Sequence, residues 1–153
     1  MKKYLFSFLV LSVMCLGFGS CSEDDIDTKD IVGLWTFVNM TADITHPDKE
    51  KENIAKSGIL LATLFMQGST IDIKANGTLV FTFVGESQTG TYKKNGNKFN
   101  ITSMGGGTVI EDVNEDVYIT LEGNILTLTQ NILDDELRTE GFTKYITKMN
   151  FKK

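Results

Sequence analysis

Few side chains in this chain are of a type that does chemistry, and their spacing decides what kind. The only histidine, His46, stands beside Pro47 in Thr45-His46-Pro47-Asp48. A Ser-His-Asp or Cys-His pair would have to recruit it, and no neighbouring motif locates a partner. At the start of a helix it reads as a cap or an exposed side chain. A two-histidine metal site is impossible, and Gly105-Gly106-Gly107 lacks the Gly-Lys-Ser/Thr continuation of a phosphate loop, reading instead as a flexible hairpin or bulge. Asp112-x-Asn114-x-Asp116 has the spacing of oxygen ligands in a calcium loop. Val117, however, occupies the place of the turn glycine, and Gly123 that of the closing glutamate. That cluster and Asp134-Asp135-Glu136 read as solvated turns, with weak calcium binding left open for either. No catalytic residue, metal site or cofactor is expected, and the chain reads as a non-enzyme.

The remaining chemistry-bearing residue is Cys21. Met1-Lys2-Lys3 is positive, the run from Tyr4 to about Gly17 is apolar, and Phe18-Gly19-Ser20 places small residues directly before the cysteine. A spanning helix needs roughly 20 apolar residues; this run is shorter and its end is crowded with glycine and serine, so residues 1–20 read as a cleaved signal peptide that takes Cys15 with it. The motif resembles the bacterial lipobox, with Phe18 where that family usually carries leucine. The resemblance implies that Cys21 becomes the mature N-terminus, acylated on sulfur and amine. Acyl chains contribute about 0.8 kcal/mol per buried methylene, so the domain would be lipid-anchored in the bacterial outer membrane. Residues 21–30 read as a solvated acidic linker. Ser22-Glu23-Asp24-Asp25-Ile26-Asp27 also resembles the surface-export signal of some Gram-negative lipoproteins, which would turn the domain outward.

Cleavage removes 20 residues, two of them lysines, from a chain of 153 with formal charge −5, leaving 133 residues with charge −7. That is one domain, 31–153, large enough for a core without staples. Disulfides are excluded because Cys21 alone survives processing. The acidic balance argues against nucleic acid, which calls for a basic stripe, and keeps the domain off an anionic lipid surface.

These features must be positioned by strands. Alternation is plainest in Thr78–Val84, where Leu79, Phe81 and Phe83 share a face. Further strands are expected at Leu34–Val38, Ser69–Lys74, Thr89–Lys93, Lys98–Thr102, Thr108–Glu111, Val117–Leu121, Ile125–Gln130 and Thr143–Phe151. Asn76-Gly77, Asn95-Gly96-Asn97 and Glu122-Gly123-Asn124 supply the positive φ of tight hairpins, so sequence neighbours become antiparallel neighbours. The expected fold class is mainly β: an up-and-down antiparallel barrel of about eight to nine strands, closed to remove its edges. One helix interrupts it between the first two strands, from the proline-marked start at Thr45–Asp48 to about Met66. Its second half, Ile59–Met66, is apolar nearly all round and must be covered, as a plug, a lid or a layer along a wall.

Gly33-Leu34-Trp35, a helical insertion, a hairpin meander and a long last strand together resemble the lipocalin and fatty-acid-binding (calycin) superfamily. More closely, residues 31–152 resemble small lipocalin-like lipoproteins of anaerobic bacteria. The resemblance implies a barrel that holds a small hydrophobic molecule, lined by Phe37, Leu79, Phe81, Phe83, Tyr92, Phe99, Ile101, Ile119, Leu121 and Tyr145, or filled by those same residues. It makes Gly33 and Trp35 structural, the tryptophan lying over the closed end against a late arginine. Arg138 is the only arginine, and it reads either as that partner or as a salt-bridged residue of a polar turn. The paired interior arginines by which many acyl-binding relatives take a carboxylate cannot be matched. The alternative to a carrier is a surface lipoprotein that docks a protein partner through a filled barrel.

Overall fold

A computed structural model describes residues 26–105 and 116–153. The signal peptide, Cys21 and the strand expected at Thr108–Glu111 lie outside them. The elements are α1 (Thr28–Ile31), β1 (Gly33–Thr45), α2 (Lys49–Phe65), β2 (Thr70–Ile73), β3 (Thr78–Phe83), β4 (Glu86–Asn95), β5 (Lys98–Met104), β6 (Val117–Glu122), β7 (Ile125–Asn131), α3 (Asp135–Glu140) and β8 (Lys144–Lys152). Every strand pairs antiparallel with its sequence neighbour, and β8 returns to β1, so eight strands form a closed barrel. Among the described residues no helix is long and apolar enough to cross a membrane.

Strand β1 runs seven residues beyond the expected Val38, and a bulge explains why the pattern hides it. Between Phe37 and Asn39 the register with β8 slips. The inward positions therefore pass from Trp35 and Phe37 to Met40, Ala42 and Ile44, which breaks a two-residue period when read along the chain. The β3–β4 hairpin is tighter than expected. Phe83 pairs with Glu86, and Val84 and Gly85 make the turn at φ 49° and 81°. A two-residue turn with both central φ values positive matches the right-handed twist of its strands, and Val84 accepts a conformation β-branched residues rarely adopt.

One end of the barrel is solid. Ile73, Leu79, Phe99, Ile119, Leu126 and Phe151 are fully buried there. Asp27 and Asp30 cap α1 reciprocally, and its last residue, Ile31, is fully buried. Trp35 donates its Nε1–H to the Ile31 carbonyl at 2.7 Å. The cation over the tryptophan ring is Lys153, 4.7 Å from its centroid. Arg138 sits instead on α3, exposed, in the last turn, where its charge suits the negative end of the helix.

Helix α2 packs along β1, with Thr63 Oγ1 donating to the Met40 carbonyl at 3.4 Å. One stripe, Glu52, Ala55, Ile59, Ala62 and Met66, turns inward. Because successive residues on a helix are 100° apart, a single wall covers only that stripe. Ile54, Leu60, Leu61, Leu64 and Phe65 consequently remain 58–70 % exposed.

Candidate functional site

Above the solid end the barrel is hollow. A cavity of about 390 Å³ is lined by Ile71, Leu79, Phe81, Gln88, Ile101, Met104, Val117, Leu128, Gln130 and Met149. Seven of the eight strands, all but β1, contribute: Leu79 and Phe81 from β3 and Leu128 and Gln130 from β7 by two-residue alternation, and the others singly or across a bulge. The β5 pair depends on that bulge. Tyr92 of β4 pairs with Ile101 and Thr91 with Ser103, so the register slips and Ile101 and Met104, three residues apart, both face inward.

Gly90 opens the wall beside them. A Cβ there would lie 2.5 Å from the Ser103 carbonyl oxygen and 2.6 Å from Met104 Sδ, contacts no relaxed side chain makes. Its missing side chain is what lets β4 and β5 close around this hollow while Met104 keeps its place.

The floor is aromatic. Phe81 meets Phe151 edge to face at 6.5 Å, and Phe151 meets Phe37 at 5.8 Å. Such pairs add to area burial and hold the rings at fixed angles. Tyr92 packs edge-on against Phe99 at 6.0 Å and donates its hydroxyl to the Lys74 carbonyl at 2.6 Å. Burial raises the Tyr92 hydroxyl above the usual tyrosine range.

Leu79, Phe81 and Ile101, from the ten residues named for the interior, line the cavity. Phe37, Tyr92, Phe99 and Ile119 belong to the solid core, and Leu121 packs against it near the β6–β7 turn. Phe83 stands at the hairpin tip, 36 % exposed. Tyr145 is placed elsewhere, against Phe142 at 5.6 Å in a shallow groove with Ile54 and Ala55 of α2. Gln88, Met104, Gln130 and Met149 were missed because polar and methionine residues carry no inward signal until their strands are paired.

A second cluster ties α2 and α3 to the ends of β1 and β8. His46 is buried; its Nδ1 accepts the Asp48 amide at 2.9 Å, which leaves Nε2 to donate to the Glu140 carbonyl at 3.0 Å. The assignment follows from the amide, which can only donate. The imidazole also meets Phe142 edge-on at 4.7 Å. Both ring nitrogens are thus engaged by backbone. Among the described residues no group of three or more His, Cys, Asp and Glu side chains could hold a metal.

Beside it, Glu52 receives Lys49 at 2.8 Å, Lys56 at 2.6 Å and the His46 amide at 3.3 Å. These hydrogen bonds, those of Lys49 and Lys56 first, hold its carboxyl down at about 2, against an ordinary 4.5. A depressed carboxyl stabilises the fold above its unfolded value, and the contribution disappears as pH falls through the folded one. Thermal unfolding of Glu52→Gln and wild type should therefore differ most above pH 4.5 and converge toward pH 2. A difference that stays constant across that window would separate the charge from the fold.

No protein-family model matches this chain, and no curated protein sequence does. A solved structure resembles it: a DUF4847 family protein from Bacteroides vulgatus, 19 % identical, with a TM-score of 0.46, over 82 % of this chain and 96 % of that one.

Proposed function

We propose that this protein is a lipid-anchored binding module of the bacterial outer membrane that captures a small apolar or amphipathic molecule in the hollow half of its barrel. The observation that carries the reading is the cavity of about 390 Å³, lined mostly by apolar side chains, above the tightly filled end of the barrel. Small-molecule sites occupy about 300–1,000 Å³, are mostly apolar and carry a few placed polar groups. Interiors are otherwise packed with few voids larger than water, so a hollow of this size in one half of an eight-stranded barrel has the character of a site. The role assigned is binding without catalysis, since the sole histidine is occupied at both ring nitrogens by backbone groups. Anchoring rests on the sequence of residues 1–21, and an outward-facing domain on the acids that follow.

A second reading, docking of a protein partner, is favoured by the exposed apolar residues of α2. Native mass spectrometry distinguishes the two. The chain from Ser22 onward, purified and delipidated, is exposed to an extract of its own cells. A reproducible apolar adduct is expected. In Met149→Trp, where a flexible side chain lining the cavity becomes a bulky ring, the adduct should fall by about tenfold or more, the loss of roughly 1.4 kcal/mol of binding. A folded wild-type barrel that takes up nothing from several extracts would sink the carrier reading and leave the partner-docking one.

A further inference from the structure

Resting on that binding reading, we infer that the molecule held in the barrel is uncharged, with an alcohol, ester or amide head group bound at the mouth by Gln88 and Gln130. Among the described residues, none of the ten that line the cavity is ionisable, and the two glutamines are the only ones whose side chains hydrogen-bond. Both lie toward the same end. Gln88 precedes the inward Gly90 and Tyr92 on β4, near the β3–β4 turn, and Gln130 follows Leu126 and Leu128 on β7, near its last residue. That end is opposite the one closed by α1 and Trp35. Apolar Leu79, Ile101 and Leu128 lie deeper, while Ile71 and Phe81 stand level with Gln88 along the ladder and Val117 level with Gln130. The two amides therefore stand in the outer rows of the lining, above an apolar depth.

Neither side-chain amide has a hydrogen-bond partner among the described residues: Gln88 is exposed at the rim and Gln130 half-buried, and it is the Gln130 backbone carbonyl that accepts from Thr147 Oγ1 at 3.4 Å. A carboxamide presents two N–H donors and one acceptor oxygen. It can satisfy a hydroxyl, an ester carbonyl or an amide, but it supplies no countercharge. An ionised carboxylate entering this hollow would be stripped of water with nothing to neutralise it, and Arg138 stands exposed on α3. An ammonium head would meet the same lack of a partner, as no acid among the described residues lines the cavity. Size follows by proportion. A dry cavity of about 150 Å³ takes one benzene ring, so 390 Å³ suits a molecule of roughly 15 non-hydrogen atoms.

The test uses chain-matched probes, 1-decanol and decanoate, titrated at pH 8 into the delipidated chain from Ser22 onward, in wild type and in Gln88→Leu/Gln130→Leu. Decanol should bind about tenfold or more tightly than decanoate. Decanoate binding should strengthen as pH falls below its own pKa, because the acid then enters neutral. In the double variant, decanol should weaken several-fold while decane, which asks nothing of the head-group site, is retained or improved. Decanoate binding at pH 8 as tight as decanol, or an unchanged decanol affinity in the double variant, would overturn the head-group inference and leave the carrier reading intact. Failure of decanol, decanoate and decane alike, in a protein that also takes up nothing from cell extract, overturns both.

Discussion

Phe151→Ala is expected to destabilise the barrel by about 3–5 kcal/mol, the range for deleting a fully buried aromatic ring. Phe151 is 0 % exposed. Its backbone pairs with Phe37 of β1 and Leu126 of β7, and its ring supports both Phe37 and Phe81. The residue thus packs at the seam where β8 closes the barrel and forms the floor between the solid half and the hollow one. Its neighbours belong to three different strands of a closed sheet and cannot collapse into the hole without breaking ladder hydrogen bonds, which puts the cost toward the upper end of that range. For a domain of this size the midpoint of thermal unfolding should fall by roughly 10–20 °C. Phe65→Ala is the control. That ring is 70 % exposed on α2, and its loss should change stability by no more than about 0.5 kcal/mol. If the two truncations cost the same, burial against Phe37 and Phe81 is not what makes Phe151 important. Chemical denaturation followed by tryptophan fluorescence reads both, because Trp35 is buried in the same core.

His46→Ala should cost about 2–3 kcal/mol, although no chemistry is assigned to the residue. The substitution leaves the Asp48 amide and the Glu140 carbonyl without their side-chain partner and removes a ring packed on Phe142. The contact joins residues 94 apart in sequence, so its loss frees the α2 start from the α3–β8 junction. Gly141 supplies a second test. It closes α3 at φ 105°, and a Cβ there would lie 2.9 Å from His46 Nε2. Gly141→Ala alone therefore carries both backbone strain and a steric clash, whereas in the His46→Ala background only the strain persists. A double-mutant cycle should come out less than additive, with a coupling of about 0.5–3 kcal/mol. Strict additivity would mean that the ring and the glycine do not share the space the structure gives them.

Much of the barrel is legible along the chain because its signals are local. Leu79-Val80-Phe81 alternates where β3 has one face inside, and Asn76-Gly77 marks the turn before it, since a side chain's face and a residue's φ are set within a few residues. The interruption by a helix between β1 and β2 is visible in the same way. Where local signals fail, specific residues show the cause. Glu86-Ser87-Gln88-Thr89 begins β4 without an apolar position, because at the mouth the inward side meets a cavity and solvent instead of core. Asp134–Arg138 reads as a polar turn, yet with Asp134 as its cap it begins α3, which buries none of its residues and so has no apolar stripe to announce it. The acids Asp27 and Asp30 suggest a solvated tether, yet they form the capping box of α1, a spacing of three that carried the information.

By itself, then, the sequence determined an eight-to-nine-strand meander and its inserted helix, through periodicities and turn residues that each segment carries alone, and its closure followed from the need to leave no sheet edge exposed. Only the tertiary structure decided which inward residues fill the barrel and which line a hollow. Phe99 and Leu79 both face in, but one is surrounded by core and the other borders the cavity, according to which distant strands lie opposite and where the bulges at Phe37/Asn39 and Thr91/Tyr92 shift their register. The burial of His46 has the same origin. Its partner carbonyl reaches it only after β8 has paired with β1, a contact with no trace in the residues around it.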